Sequence, residues 1–151
     1  MKQSIRYFGI IVLFTIIQAQ VSTNETPYGI IHNLNRSAIP VAIMPVVNVD
    51  SLIIEDAIES MDTPMRFAYA HPTQFNLTNS GLWKDLGNDE RLWRMKISSP
   101  GAYSISLVYS HYQLPVGAKL SIYNENGTHI IGAFTDYNNT PNGEFSTQPV
   151  Q

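Results

Sequence analysis

The stretch from Leu92 to Gln151 constrains the fold most, because it consists of short alternating runs broken about every ten residues by glycine- and proline-containing turns. Trp93, Met95 and Ile97 alternate with Arg94, Lys96 and Ser98, the period of a half-buried strand. Ser99-Pro100-Gly101 suits a type II turn. The strand beyond it places Tyr103, Ile105, Leu107 and Tyr109 on one face, with Ser104, Ser106, Val108 and Ser110 on the other. Pro115-Val116-Gly117 turns the chain again, and Ala118, Leu120 and Ile122 take the inward face of the next strand. Asn126-Gly127 fits a type I′ hairpin turn joining 119–123 to 129–134, since both residues accept positive φ. This pattern predicts an all-β, antiparallel β-sandwich of jelly-roll type. A polar loop over 135–142 leads to a last strand that starts at Gly143 and runs out at Gln151. With no later strand to receive its backbone groups, the sandwich is expected to be incomplete at the C-terminus and poorly stable alone.

Upstream, the expected organisation is a signal peptide over 1–19, an extended N-terminal arm over 20–48, and a short helix plus truncated sandwich over 49–151. Pro27, Pro40 and Pro45 exclude a long helix from the arm, which reads as loose. Asp50 stands where an N-cap belongs. Ile54, Ala57, Ile58 and Met61 recur at the spacing of one helical face, predicting a helix over 51–60 with Glu55, Asp56 and Glu59 on its solvated side. Thr63-Pro64 ends it; residues 65–70 and 74–77 have strand-like content, and Trp83 falls in a short connector or irregular edge between the turn clusters at 79–81 and 86–89.

The first residues follow a different logic. Lys2 and Arg6 precede the apolar run 7–17, and Gln18-Ala19-Gln20 offers cleavage after Ala19. The run is shorter than the roughly 20 apolar residues needed to span a bilayer, so a cleaved secretory leader is expected rather than stable membrane insertion. The protein would then be secreted, or periplasmic in transit. It has no cysteine, so packing alone must stabilise it outside the cell. A net charge of −3 with nine scattered basic residues shows no stripe for nucleic acid.

Chemistry-bearing patterns are sparse. Neither a G-x-S-x-G elbow nor a Gly-Asp-Ser-Gly nucleophile segment occurs, so no catalytic residue is assigned. His32, His71, His111 and His129 lack the spacing of a helical zinc site; Asp85, Asn88, Asp89 and Glu90 do not match a calcium loop and read as a turn. No metal or cofactor is expected. Among Trp83, Tyr109, Tyr112, Tyr123 and Tyr137, aromatic packing is the default reading, with Trp83 and Tyr137 the candidate contacts for a glycan or protein ligand.

A succession of short motifs carries a resemblance: Glu55-Asp56-Ala57-Ile58, Arg66-Phe67-Ala68-Tyr69-Ala70-His71, Asn79-Ser80-Gly81-Leu82-Trp83, Arg91-Leu92-Trp93-Arg94, Ser99-Pro100-Gly101-Ala102, Leu114-Pro115-Val116-Gly117-Ala118, Ile122-Tyr123-Asn124-Glu125 and Gly132-Ala133-Phe134-Thr135. In this order, over about Leu52 to Gln151, the chain resembles the N-terminal pro-region of secreted bacterial trypsin-like serine endopeptidases of the lysyl-endopeptidase-like group. The resemblance implies a leader, this β-rich region and then a chymotrypsin-fold protease carrying a His, Asp and Ser triad. That catalytic part is not in this sequence, so the chain itself is expected to be non-enzymatic. It would assist folding, export or latency of its protease; the alternative is a stand-alone secreted β-sandwich module binding extracellular glycan or protein.

Overall fold

A computed structural model describes residues 21–59 and 62–151. The leader expected over 1–19, and Ser60 and Met61 of the expected helix, lie outside these residues.

The aromatic rings of the C-terminal half organise the chain. Tyr112, Phe134 and Phe145 are buried, and Tyr109, Leu114, Leu120, Ile122 and Ile131 pack around them. Tyr112 stacks on Phe145 at 4.2 Å between centroids, and Phe134 meets Phe145 edge-on at 5.1 Å. These offset and edge-to-face arrangements suit the ring quadrupoles and add to the area the rings bury.

The described residues are β-rich, with strands in four small, open, two-stranded sheets. Strand β6 (Leu120–Tyr123) pairs antiparallel with β7 (Ile130–Phe134), and β5 (Val108–Tyr109) pairs antiparallel with β8 (Phe145–Ser146). Strand β2 (Leu82–Gly87) pairs antiparallel with β3 (Glu90–Arg94). Strand β1 (Val41–Ile43) lies parallel to β4 (Lys96–Ser98), a departure from the antiparallel expectation.

The final segment does have a partner, which corrects the sequence expectation. Tyr112 N donates to Gly143 O, Thr147 N donates to Leu107 O, and Ile105 and Val150 exchange both backbone bonds at 2.9 Å. The expected alternation holds here: Ile105, Leu107 and Tyr109 are half-buried while Ser104, Ser106, Val108 and Ser110 are exposed. Tyr103 departs from it, exposed ahead of the first bridge at Ile105.

The type II turn forms at Ser99, with Ala102 N on Ser99 O at 3.1 Å and Gly101 at φ +80°. The Asn126-Gly127 hairpin also forms, but not through a type I′ turn. Asn124 Oδ1 accepts from Thr128 N at 2.8 Å and His129 N at 3.2 Å, closing a longer loop in which Gly127 alone has positive φ. Positive φ at two successive residues, the type I′ signature, occurs instead at Asn88 and Asp89 between β2 and β3.

The N-terminal arm is tied down rather than loose. A bulge in β7 pairs Leu120 with Phe134 but Ser121 with Gly132, leaving Ala133 unpaired. The arm uses the freed carbonyls: Asn24 N donates to Gly132 O at 3.0 Å, Thr23 N to Ala133 O at 3.3 Å, and Ser22 Oγ to Gly132 O at 2.8 Å. The ion pair of Lys119 with Glu25 at 2.5 Å adds to this seam and holds the Glu25 carboxyl below its ordinary range. Lys96 lowers Glu125 in the same way, chiefly through a 2.7 Å hydrogen bond. The arm also contains the single-turn helix α1 (Tyr28–Ile31), and Arg94 Nη1 reaches Asn35 O at 3.1 Å.

The longer helix α2 spans Val49–Ile58 and starts slightly earlier than expected, because Asn48, not Asp50, is the N-cap and accepts from Ser51 N at 3.2 Å. None of its residues is buried; Ile53, Ile54 and Ile58 are exposed, so the apolar spacing does not mark a core face. The strands expected over 65–70 and 74–77 are irregular coil. Side chains satisfy the second segment locally: Asn76 Oδ1 accepts from Thr78 N and Asn79 N, and Asn79 Oδ1 accepts from Asn76 N.

Two tests follow from this core. Phe145→Ala removes the ring shared by Tyr112 and Phe134 and should cost about 3–5 kcal/mol in urea unfolding; a loss below about 1 kcal/mol would place the core elsewhere. Burial pushes the Tyr109 and Tyr112 hydroxyls from 10.0 up to about 12, assisted at Tyr109 by Tyr112 and at Tyr112 by Asp136. The folded chain retains these protons where the unfolded chain loses them. Their contribution should be complete below about pH 10 and decline toward pH 12, with absorbance at about 295 nm showing two late-titrating phenols.

Candidate functional site

The side of the molecule formed by α2 and residues 45–47 and 65–71 combines an open groove with exposed apolar side chains. The groove, about 490 Å³, is lined by Val47, Ser51, Leu52, Glu55, Arg66, Tyr69 and His71 among others. Its organiser is Arg66, which the sequence reading did not single out. The guanidinium lies 3.0 Å from Glu55, 2.9 Å from Asp56 and 4.0 Å from Glu59. The hydrogen bond that Arg66 donates to Glu55, and then the neighbouring carboxylates, raise Arg66 above its ordinary value, so it stays charged. The available signal was local: Arg66 stands between Met65 and Phe67, seven to eleven residues beyond Glu55, Asp56 and Glu59.

Every residue of α2 except Leu52 is exposed, the carboxylates that meet Arg66 included. Ile53, Ile54 and Ile58 stand at 60%, 66% and 82% exposure. Met65 and Phe67, on either side of Arg66 in the chain, are 90% and 99% exposed.

The two sequence-nominated aromatics lie on different elements, with no ring contact between them among the described residues. Trp83 is on β2, not in a connector. Its indole N–H donates to Leu77 O at 2.8 Å, and the Arg91 guanidinium lies 4.8 Å from its ring centroid. Trp83 sits directly across from Trp93, with Arg91 the diagonal neighbour, so a cation–π contact of this kind uses one ring face that a sugar would need. Trp93 donates to Ser80 O at 2.7 Å and packs where a Cβ on Gly81 would come within 2.6 Å of its ring. Tyr137 is 80% exposed on a 3-10 turn (Asp136–Asn138) capped reciprocally by Thr135 and Asn138. That turn is anchored by Asn139, whose amide both accepts from Leu114 N and donates to Leu114 O.

No nucleophilic relay emerges from the geometry. Ser110 Oγ lies 3.0 Å from Nδ1 of the adjacent His111, but no carboxylate hydrogen-bonds His111 among the described residues. Asp85 Oδ1 accepts from Gly87 N at 2.8 Å, which makes the acidic turn at 85–90 a self-satisfied Asx turn. Among the described residues, no group of three or more His, Asp and Glu side chains is arranged to hold a metal, and no helix is long and apolar enough to cross a membrane.

Removing the organiser tests this description. Arg66→Ala should accelerate amide exchange across 49–58 while the urea midpoint of the aromatic core stays unchanged. Unchanged exchange in α2 would show that the ion cluster does not hold the helix.

Comparison with protein-family models, curated proteins and solved structures finds no match to the chain.

Proposed function

We propose that this chain is the non-catalytic N-terminal pro-region of a secreted trypsin-like serine protease of the lysyl-endopeptidase-like group, exported by a leader cleaved after Ala19. In this reading the small β sheets belong to a jelly-roll-like sandwich that assists folding or export of the protease and keeps it latent.

The observation that supports it best is the placement of apolar side chains. Ile43, Val46, Ile54, Ile58, Met65 and Phe67 are all exposed, in a chain whose buried hydrophobics cluster around Tyr112, Phe134 and Phe145. Exposed apolar area of this kind fits a protein whose working state includes a partner. A pro-region that binds only the native protease would raise its folded fraction by mass action, and the same complex would cover the enzyme until processing.

A second reading rests on Tyr137, presented at 80% exposure on a capped turn. It makes the chain a stand-alone secreted module that binds extracellular glycan or protein through Tyr137, with Trp83 contributing its remaining ring face.

The discriminating experiment adds the 20–151 chain in trans to an unfolded lysyl-endopeptidase-type protease domain. The pro-region reading expects a higher yield of folded protease and inhibition by excess chain. Equal yields with and without the chain, together with glycan binding abolished in Tyr137→Ala, would replace it by the second reading.

A further inference from the structure

We infer that the outward face of α2, together with Met65 and Phe67, is the surface by which this chain docks on its protease domain, meeting an apolar ledge rimmed by lysine and arginine side chains. The inference rests on the pro-region reading and specifies where and how that partner is met.

Three observations carry it. First, the carboxylates of α2 are engaged within the chain, Glu55, Asp56 and Glu59 lying within 4.0 Å of Arg66, while Ile53, Ile54 and Ile58 are exposed and pack on no buried core residue among the described residues. An amphipathic helix ordinarily buries its apolar stripe, and one whose stripe stays exposed presents it to another molecule. Second, the chain beside it repeats the pattern. Arg66 turns to the carboxylates while Met65 and Phe67 stand at 90% and 99% exposure, adding a flexible thioether and an aromatic ring.

Third, the surrounding charge selects the occupant. Between Asp50 and Arg66 the chain carries Asp50, Glu55, Asp56, Glu59 and Asp62 against Arg66 alone; Glu55, Asp56 and Glu59 share that one cation, and all five carboxylates remain exposed, so the segment keeps a net negative charge at the surface. A second copy apposed face to face by a two-fold axis would bring carboxylates against carboxylates, and an anionic bilayer would be repelled in the same way. A protein surface with a basic rim is attracted, and its association is steered by the acidic field.

Binding of the 20–151 chain to a purified lysyl-endopeptidase-type protease domain, followed by surface plasmon resonance, tests this directly. Ile58→Ser with Phe67→Ser should weaken binding about tenfold or more. Val116→Ser, equally exposed but on the turn before β6, should leave binding unchanged. Since positions 58 and 67 are 82% and 99% exposed, the variant should keep the parent circular dichroism. Asp50→Lys with Asp62→Lys provides an independent reading: association should slow several-fold and lose its salt dependence between roughly 50 and 300 mM. Full-strength binding by both double variants would overturn the docking face and leave the pro-region reading standing. No binding by the parent chain would remove both. A concentration-dependent dimer of the free chain that Ile58→Ser with Phe67→Ser abolishes would reassign the face to self-association and overturn the inference.

Discussion

The stacking of Tyr112 on Phe145, with Phe134 set edge-on against the same ring, is the contact on which the rest of the structure depends. Each ring comes from a different piece of chain: Tyr112 follows β5, Phe134 ends β7 and Phe145 opens β8. Two-stranded ribbons are marginal by themselves in water, so two such ribbons persist here because their aromatic faces share one small core. The polar seams then act locally. The bulge at Ala133 turns carbonyls toward the arm, and Asn139 uses its amide to copy a strand pairing against Leu114.

The two halves of the chain handle apolar side chains in opposite ways. Toward the C-terminus, Tyr112, Phe134 and Phe145 turn inward into one core; around α2, the carboxylates pair with Arg66 at the surface, and Ile53, Ile54, Ile58, Met65 and Phe67 stand exposed beside them. The second arrangement gives up hydrophobic stabilisation that burial of these side chains would supply. Ionic and apolar groups are separated there: Arg66 pairs with the carboxylates of α2, while the isoleucines, Met65 and Phe67 stand exposed.

Much of the β content was legible because period-two alternation and turn chemistry act over a few residues. Ile105, Leu107 and Tyr109 face inward as their spacing requires, and the turn at Ser99-Pro100-Gly101 follows from the backbone demands of its residues. Long-range pairings were not legible. The return of 143–150 along 105–112 and the parallel match of Val41–Ile43 to Lys96–Ser98 depend on crossovers that local pattern does not encode. The helix was located within two residues and its carboxylates are solvated as their spacing requires, yet its apolar spacing pointed to burial, and Ile53, Ile54 and Ile58 are exposed. Trp83 looked available as a stacking platform, and its cover came from Arg91 across the hairpin, a neighbour visible only once the register is known.

Hydrogen exchange on the free 20–151 chain distinguishes a C-terminal aromatic core from the side chains around α2 and 65–67 that are exposed among the described residues. The slowest amides should be those of Ile105, Tyr112, Thr147 and Val150, whose bonds frame the core, with rapid exchange over 65–71, which lies in no strand. Protection over 65–71 equal to that of the core would mean that Met65 and Phe67 are covered within the chain itself, which would contradict that division.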